Sequence, residues 1–216
     1  MNGIRNFIGS PLSYDVLCIL LGYLCGSVSF SIILSNISGK GDIRQYGSGN
    51  AGASNITRTM GWQFGLLTAL GDVLKGTLAV YIGNAIVPNM GGLLAGFAAF
   101  IGHRHPLFFG LKGGKCVATL GGVFLGIDIR IALCFLGLWL VILLVSRYVA
   151  VAGFLGCWVL PFASSYFRPD IEILPRMATI MCWMLCWYHR DNIKRLRRRA
   201  EPKVDFKLHD KEQKYG

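Results

Sequence analysis

The stretch from Val16 to Leu34, VLCILLGYLCGSVSFSIIL, decides the fold class. It contains no charged residue. A helix rising 1.5 Å per residue needs about 20 apolar residues to cross a bilayer, and this run meets that length. It is too long for the apolar region of a signal peptide, and no small-residue cleavage site follows it. Working outward, further apolar segments run from Gly61 to Val87, Gly91 to Phe109, Val117 to Ile127, Ile129 to Val145, Tyr148 to Phe167 and Ile171 to Tyr188. Composition agrees with this pattern. Of 216 residues, 53% are hydrophobic and 15% charged, with mean hydropathy +0.50, whereas a soluble domain carries about 25% charged residues. The 28 glycines suit helices packed closely in lipid. The chain therefore reads as an all-α integral membrane protein of about seven transmembrane helices. The short Val117–Ile127 segment leaves counts of six or five open.

Charge sets the orientation. With seven crossings the termini lie on opposite sides. Placing the C-terminus inside puts Lys40, Arg44, Arg58, Arg104, Lys112, Lys115, Arg147 and ten tail residues on that side. The outer side keeps Arg5, Arg130, Arg168 and Arg176. Loops rich in Lys and Arg stay cytoplasmic, so the N-terminus is expected outside and the C-terminus in the cytoplasm. This bias counts Val117–Ile127 as a crossing. Residues 1–196 then form one multi-span domain and 197–216 a basic polar tail suited to anionic lipid headgroups. Its basic cluster is short and follows an apolar helix, which argues against nucleic acid.

Glycines four apart at Gly22/Gly26, Gly61/Gly65, Gly92/Gly96 and Gly122/Gly126 predict close helix contacts. The seven cysteines form no CxxC pair, and six lie in apolar runs. They read as small hydrophobes.

Three polar blocks interrupt the apolar sequence, all on the expected inner face. In the first, Gly41 to Asn55, Gly47 to Gly52 has the G-x-G-x-x-G form but follows a membrane helix instead of a strand. It also nearly fits a nucleotide-binding loop, except that Ala53 stands where a Lys is needed. What survives is the physics of glycine amides and a helix start facing an anion, flanked by Arg44 and Arg58. A plain connecting loop is the alternative. The second block runs Gly102-His103-Arg104-His105-Pro106 and then Lys112-Gly113-Gly114-Lys115-Cys116. Two glycines between two lysines at a helix start again suit a phosphate. The third, His189 to Leu196, begins where the last apolar helix meets water. His189 is placed there for acid–base work near neutral pH, with Asn192 on the same helical face. Ser146-Arg147-Tyr148 is a lone polar site between two spans. Asp72 and Lys75 lie within a span and either pair with each other or line the site. No G-x-S-x-G elbow appears, and no Ser or Cys has an evident activating base.

These blocks, in this order, resemble the bacterial acyl-phosphate:glycerol-3-phosphate acyltransferase family, the PlsY family. The resemblance extends from Gly26-Ser27-Val28-Ser29-Phe30 to Glu201. It is carried by Gly41-Asp42-Ile43-Arg44 with Gly47 to Asn55, Asp72 to Gly76, Gly102-His103-x-x-Pro106, Lys112 to Lys115, Ser146-Arg147-Tyr148 and His189-x-x-Asn192-Ile193-x-Arg195-Leu196. Three departures are Cys116, where the family usually has Gly, Ser54, where it usually has Thr, and Arg197 to Ala200, which replaces a less basic stretch before Glu201. The resemblance implies a seven-helix inner-membrane enzyme. It would move a fatty acyl group from acyl phosphate to the 1-hydroxyl of sn-glycerol 3-phosphate, giving lysophosphatidic acid and phosphate, the first acylation of phospholipid synthesis. It implies no cofactor and no metal, and a functional link to the soluble enzyme that makes acyl phosphate. The catalytic candidates are His189, Lys115, Arg44, Ser146 and Arg147. The substrate-binding candidates are Ser27, Gly47, Ser48, Gly49, Asn50, Gly52, Asn55, Lys112, Gly113, Gly114 and Asn192. Gly113 and Gly114 are expected to present their amides to glycerol 3-phosphate. Cys116, near Lys112 and Lys115, whose charges would lower its pKa, is expected to be incidental. The residues fit the chemistry: an acyl phosphate is already activated, so the protein has only to hold two phosphates together and align a hydroxyl. Whether His189 or the leaving phosphate takes the proton stays open.

Rival classes are an anion transporter, whose site would lie at mid-membrane between inverted repeats, and a silent scaffold, which has no use for phosphate-type loops.

Overall fold

A computed structural model describes residues 11–204. The expectations for Arg5 and for the tail beyond 204 fall outside the described residues. Those described are helical, with no strand among them. The helices are α1 Pro11–Ser27, α2 Phe30–Ile37, α3 Ala53–Met60, α4 Trp62–Ile86, α5 Met90–Arg104, α6 Val117–Ile127, α7 Ile129–Ser146, α8 Val149–Gly156, α9 Val159–Phe167, α10 Leu174–Tyr188 and α11 Arg190–Arg197. Short 3₁₀ turns occupy Ile43–Gln45 and Leu107–Phe109.

By length and composition, three helical stretches can cross a membrane: Leu12–Ile37, Trp62–Ile86 and Ile129–Ser146. The pair α8 and α9, bent by 42°, makes a fourth if counted as one span. The sequence reading took Tyr148–Phe167 as one run. It breaks at Cys157–Trp158, where Pro161 cannot donate to the carbonyl four residues earlier and its ring clashes there. The run Gly91–Phe109 likewise ends its helix at Arg104, two residues before Pro106. Helix α6 keeps the bounds expected of it.

Large apolar side chains face outward along the long helices: Leu17, Leu20 and Leu24 on α1, Leu66, Leu70, Leu74 and Leu78 on α4, and Leu133, Leu136, Leu140 and Leu144 on α7. A water-soluble monomer does not carry so continuous an apolar surface; a lipid-facing helix does.

Small residues fill the inside. A Cβ at Gly22 would lie 2.5 Å from the Ala95 Cα, and one at Gly26 would lie 2.6 Å from the Ala99 Cα. Helices α1 and α5 therefore pack backbone to backbone. Gly122 of α6 presses on Val73 of α4 in the same way, Gly96 meets Val80 and Val123, and Gly126 meets Val80. The Gly61/Gly65 pair behaves differently. Gly61 is the joint between α3 and α4, with φ +104° and nothing near its missing side chain. Helix α4 is central, touching α1, α2, α3, α5 and α6. The main core, with Phe100, Leu120, Phe124, Ile131, Leu160, Met181 and Leu185, ties α5, α6, α7, α9 and α10 together.

Candidate functional site

The first polar block folds into a loop held by one side chain. Asn55, buried in the first turn of α3, accepts the Ser48 amide at 2.8 Å through Oδ1. Its Nδ2 donates to the Tyr46 carbonyl at 3.0 Å and the Ile43 carbonyl at 3.2 Å. Every polar atom of Asn55 is thus spent on the loop. Gly47 is required here, because its φ is +58° and a Cβ would collide with Asn55 Oδ1. Arg44 is similarly committed. Its guanidinium grips Asp42 through Nε at 3.0 Å and a second nitrogen at 2.6 Å. It also donates to the Phe109 carbonyl at 2.5 Å and the Lys112 carbonyl at 3.0 Å. Arg44 joins the first block to the second with its charge balanced by Asp42, whose carboxyl it holds below the usual carboxylate range through this hydrogen bonding. The amides of Asn50, Ala51, Ala53 and Ser54 have no partner among the described residues. Gly49 and Gly52 donate to Tyr46 and Asn50.

The second block corrects an expectation. The amides of Gly113 and Gly114 do not face open space. They donate to the Arg104 carbonyl at 3.0 Å and the His103 carbonyl at 3.1 Å. Both glycines are buried against the end of α5. A Cβ at Gly113 would stand 2.8 Å from the Pro106 ring, and one at Gly114 would stand 2.7 Å from the Ala51 carbonyl oxygen. Lys112 is exposed. Lys115 turns inward, and its ammonium donates to Asn192 Oδ1.

That bond reaches the third block. Asn192 Nδ2 donates to Glu201 Oε1 at 2.7 Å, and Arg195 Nε donates to Glu201 Oε2 at 2.7 Å. Glu201 is buried, and Val204 beyond it donates its amide to the Arg147 carbonyl at 2.8 Å. The expected free tail is therefore anchored through residue 204. Burial, aided by the charge of Arg195, lowers the Lys115 ammonium to about 8. His189 is buried at the joint of α10 and α11. Its Nδ1 lies 2.8 Å from the Leu185 carbonyl. A carbonyl only accepts, so Nδ1 carries the proton and Nε2 presents a lone pair. Burial pushes this histidine down to about 4, and the Lys115 charge adds to the effect. Nε2 faces Gly153 on α8.

Ser146 and Arg147 form the turn after α7. Ser146 Oγ accepts the Tyr148 amide at 3.2 Å, and Arg147 has φ +60° with its side chain exposed. Ser27 is buried at the end of α1 and donates to the Tyr23 carbonyl at 2.8 Å.

Inside the bundle, Asp72 and Lys75 pair at 2.8 Å, and Asp72 also meets His103 Nδ1 at 3.4 Å. Lys75 further donates to the Val28 carbonyl at 2.6 Å, between α1 and α2. Of the two readings left open, pairing is what the structure holds, with His103 as an added member. Cys116 stands at the N-cap of α6. Its thiol is buried, points at the Phe100 carbonyl at 3.3 Å and is pushed up by burial, although the expected effect of its lysine neighbours was downward.

A cavity of about 610 Å³ opens between the first two blocks, its wall part polar and part apolar, with Arg44, Asn50, Arg104, Phe109, Leu111 and Lys112 among its lining residues. The three blocks meet along one path. Gly114 lies against Ala51 of the first, and Lys115 binds Asn192 of the third. Glu201, Arg195 and Arg104 stand in the quoted motifs but not among the candidate site residues. The spacing of Asn192 and Arg195 places both on one helical face, but nothing local announces the carboxylate that returns to them.

A family model described as glycerol-3-phosphate acyltransferase matches residues 16–199. A glycerol-3-phosphate acyltransferase of Agrobacterium fabrum is 39% identical over 192 residues, covering 88% of this chain and 92% of that protein. One from Carboxydothermus hydrogenoformans is 39% identical over 189 residues, covering 88% and 96%. Among solved structures, the glycerol 3-phosphate form of PlsY, an integral membrane glycerol 3-phosphate acyltransferase, superposes with a TM-score of 0.82 at 32% identity, covering 88% of this chain and 96% of that one. Its lysophosphatidic acid form gives 0.79 at 31% identity, covering 88% and 95%.

Proposed function

The chain belongs to the glycerol-3-phosphate acyltransferase family, that of PlsY, and from that premise we propose that it transfers a fatty acyl group from acyl phosphate to the 1-hydroxyl of sn-glycerol 3-phosphate, releasing lysophosphatidic acid and phosphate. The observation that carries this reading is the convergence of the three polar blocks at Lys115, whose ammonium binds Asn192 and whose charge reaches the buried His189, next to a cavity between the first two blocks. An acyl phosphate brings its own leaving group. The protein has to neutralise two phosphates and hold the attacking oxygen at the carbonyl carbon. Lys115 and Arg147 supply positive charge. The free amides of Asn50, Ala51, Ala53 and Ser54 add donors at the start of α3.

In the transfer, the hydroxyl oxygen bonds to the acyl carbon and the carbonyl–phosphate bond breaks. Phosphate leaves with that electron pair, and the hydroxyl proton goes to the leaving phosphate. The neutral His189 Nε2 accepts a hydrogen bond from the neighbouring, unreacting 2-hydroxyl and so orients the substrate. No protein nucleophile enters. Ser48, Lys112 and Asn192 stay in the proposed binding set, whereas Arg44, Asn55, Gly47, Gly113 and Gly114 act by shaping the loops. The topology proposed with this function is seven crossings of a bacterial inner membrane, N-terminus outside, with the site facing the cytoplasm.

The test is direct. Purified protein receives glycerol 3-phosphate with palmitoyl phosphate, palmitoyl-CoA or palmitoyl carrier protein, and lysophosphatidic acid and released phosphate are measured. Product from palmitoyl phosphate alone is expected. Product only from a thioester would refute the donor assignment.

A further inference from the structure

Arg104 is the cation that the reading so far leaves without work. It is the last residue of α5, and its guanidinium lies over the Tyr188 ring at 4.9 Å. Its Nε is buried without a hydrogen-bond partner, and a terminal nitrogen reaches only the Gly114 carbonyl, at 3.4 Å. Among the described residues no carboxylate pairs with it, whereas Arg44 is paired with Asp42 and Arg195 with Glu201. It lines the 610 Å³ cavity, whose other walls include the neutralised Arg44 and the exposed Lys112. Its charge also reaches His189, where it adds to the downward shift of that ring.

We propose that Arg104 binds the phosphate of the water-soluble substrate, as the fixed cation between that cavity and His189. The proposal rests on the acyl-transfer reading above and extends it to a residue at an unspecified position of the Gly102-His103-x-x-Pro106 motif. The terminal nitrogens, one of them held only by the Gly114 carbonyl at 3.4 Å, are the donors that a phosphate in the cavity would meet. The fork geometry of Arg suits a phosphate with two donors, and the Tyr188 face fixes the plane of that fork. The helix C-terminus stabilises the cation while the site is empty. Arg104, Lys112 and Asn50 give the cavity wall donors suited to a small dianion, so the ligand is glycerol 3-phosphate.

The test compares Arg104→Gln and Arg104→Lys with the unaltered protein. In turnover, Arg104→Gln is expected to raise the KM for glycerol 3-phosphate at least about tenfold, as loss of a hydrogen bond to a charged group implies. The KM for palmitoyl phosphate should stay within about twofold, and Arg104→Lys, which keeps charge without the fork, should fall between. A KM for glycerol 3-phosphate equal to wild type in both variants overturns the proposal. So does a rise confined to palmitoyl phosphate, or a fall in kcat with both KM values unchanged, which is what a purely structural stack on Tyr188 predicts. If Arg104→Gln is not recovered folded, Arg104→Lys decides alone, and an unchanged KM counts against the proposal. A second arm needs no turnover: binding of inorganic phosphate to the purified protein, followed by calorimetry. Wild type should bind and Arg104→Gln should bind at least about tenfold more weakly. Equal binding overturns the Arg104 assignment while leaving the acyl-transfer reading intact. Absence of acyl transfer with Arg104-dependent phosphate binding overturns only that reading.

Discussion

Replacing Gly114 by Ala puts one methyl group where the loop of the second block meets two fixed neighbours. The new Cβ would lie 2.7 Å from the Ala51 carbonyl oxygen and 2.9 Å from His103 Cε1, with Nε2 nearer still. Carbon contacts settle near 3.5 Å, so something must retreat by about 1 Å. His103 cannot swing away cheaply, because it is buried and its other nitrogen faces Asp72, which holds Lys75. Ala51 is backbone. The loop therefore lifts, and Lys115, the next residue, leaves Asn192. Overpacking of this kind costs about 1–3 kcal/mol, which lowers Tm by roughly 3–10 °C in a chain of this size. A misplacement of about 1 Å at a catalytic group costs on the order of 10²-fold in rate. The assay is thermal unfolding of the detergent-purified variant together with kcat and KM for glycerol 3-phosphate. Gly137→Ala is the control, since nothing lies near that position on α7; it should leave both unchanged or raise Tm slightly. A Gly114→Ala protein with wild-type Tm and kcat and only a raised KM would falsify the packing argument. That pattern belongs to a glycine whose amide binds substrate, the role the sequence suggested.

Lys115→Ala should lower kcat/KM on the order of 10²-fold, about 2.7 kcal/mol, with wild-type activity removing the residue from the site. With its ammonium lowered to about 8, Lys115 loses its proton as pH rises through that value, so kcat/KM for glycerol 3-phosphate should decline there. Lys115→Arg should keep its profile flat to higher pH, and an alkaline limb that persists in it assigns the limb elsewhere. His189, pushed down to about 4, is neutral throughout the physiological range and should contribute no acid limb above about pH 5. Cys116 has φ +67° and a buried thiol, so Cys116→Gly should keep or improve turnover. Protein incubated with acyl phosphate alone should gain no acyl mass; a phosphate burst lost in Cys116→Gly or Ser48→Ala would establish a covalent route. For topology, single cysteines in the Ser35–Met60 loop should resist an impermeant thiol reagent in intact cells lacking the native cysteines, while one near Asn89 should label. Labelling of the loop from outside would reverse the orientation.

The apolar runs were legible because lipid-facing and core-facing positions both demand apolar side chains, so each helix announces itself by composition. Their ends were less so. The break in Tyr148–Phe167 is written in Pro161, but a proline in an apolar run kinks some membrane helices and ends others. The glycine pairs Gly22/Gly26 and Gly122/Gly126 pack as their spacing suggested, whereas Gly61 serves a backbone conformation that spacing alone does not distinguish. At the site, Lys115, Asn192 and His189 come together because they sit at helix ends that meet at one face of the bundle. Asn55 and Arg44, expected at the substrate, bond within the chain to the loop, to Asp42 and to the second block. An Asn or Arg in a glycine-rich loop has the same sequence signature whether it binds a ligand or the loop itself.

The same ambiguity explains Gly113 and Gly114, and it is resolved by an accounting of carbonyls. A helix leaves its last four carbonyls without partners. Helix α5 ends at Arg104, and Pro106, which has no amide, stands where the chain leaves it. Donors for the His103 and Arg104 carbonyls have to come from elsewhere in the chain, and the amides of Gly114 and Gly113 provide them. Only glycine allows the loop to come so close to the helix end, since a Cβ at either position overlaps the residues it caps. The lysines on each side are then fixed by this cap. Lys112 is left at the exposed cavity, and Lys115, one residue past the second glycine, is turned towards Asn192. The glycines thus serve the site one step removed: they close a helix, and closing it aims the lysine.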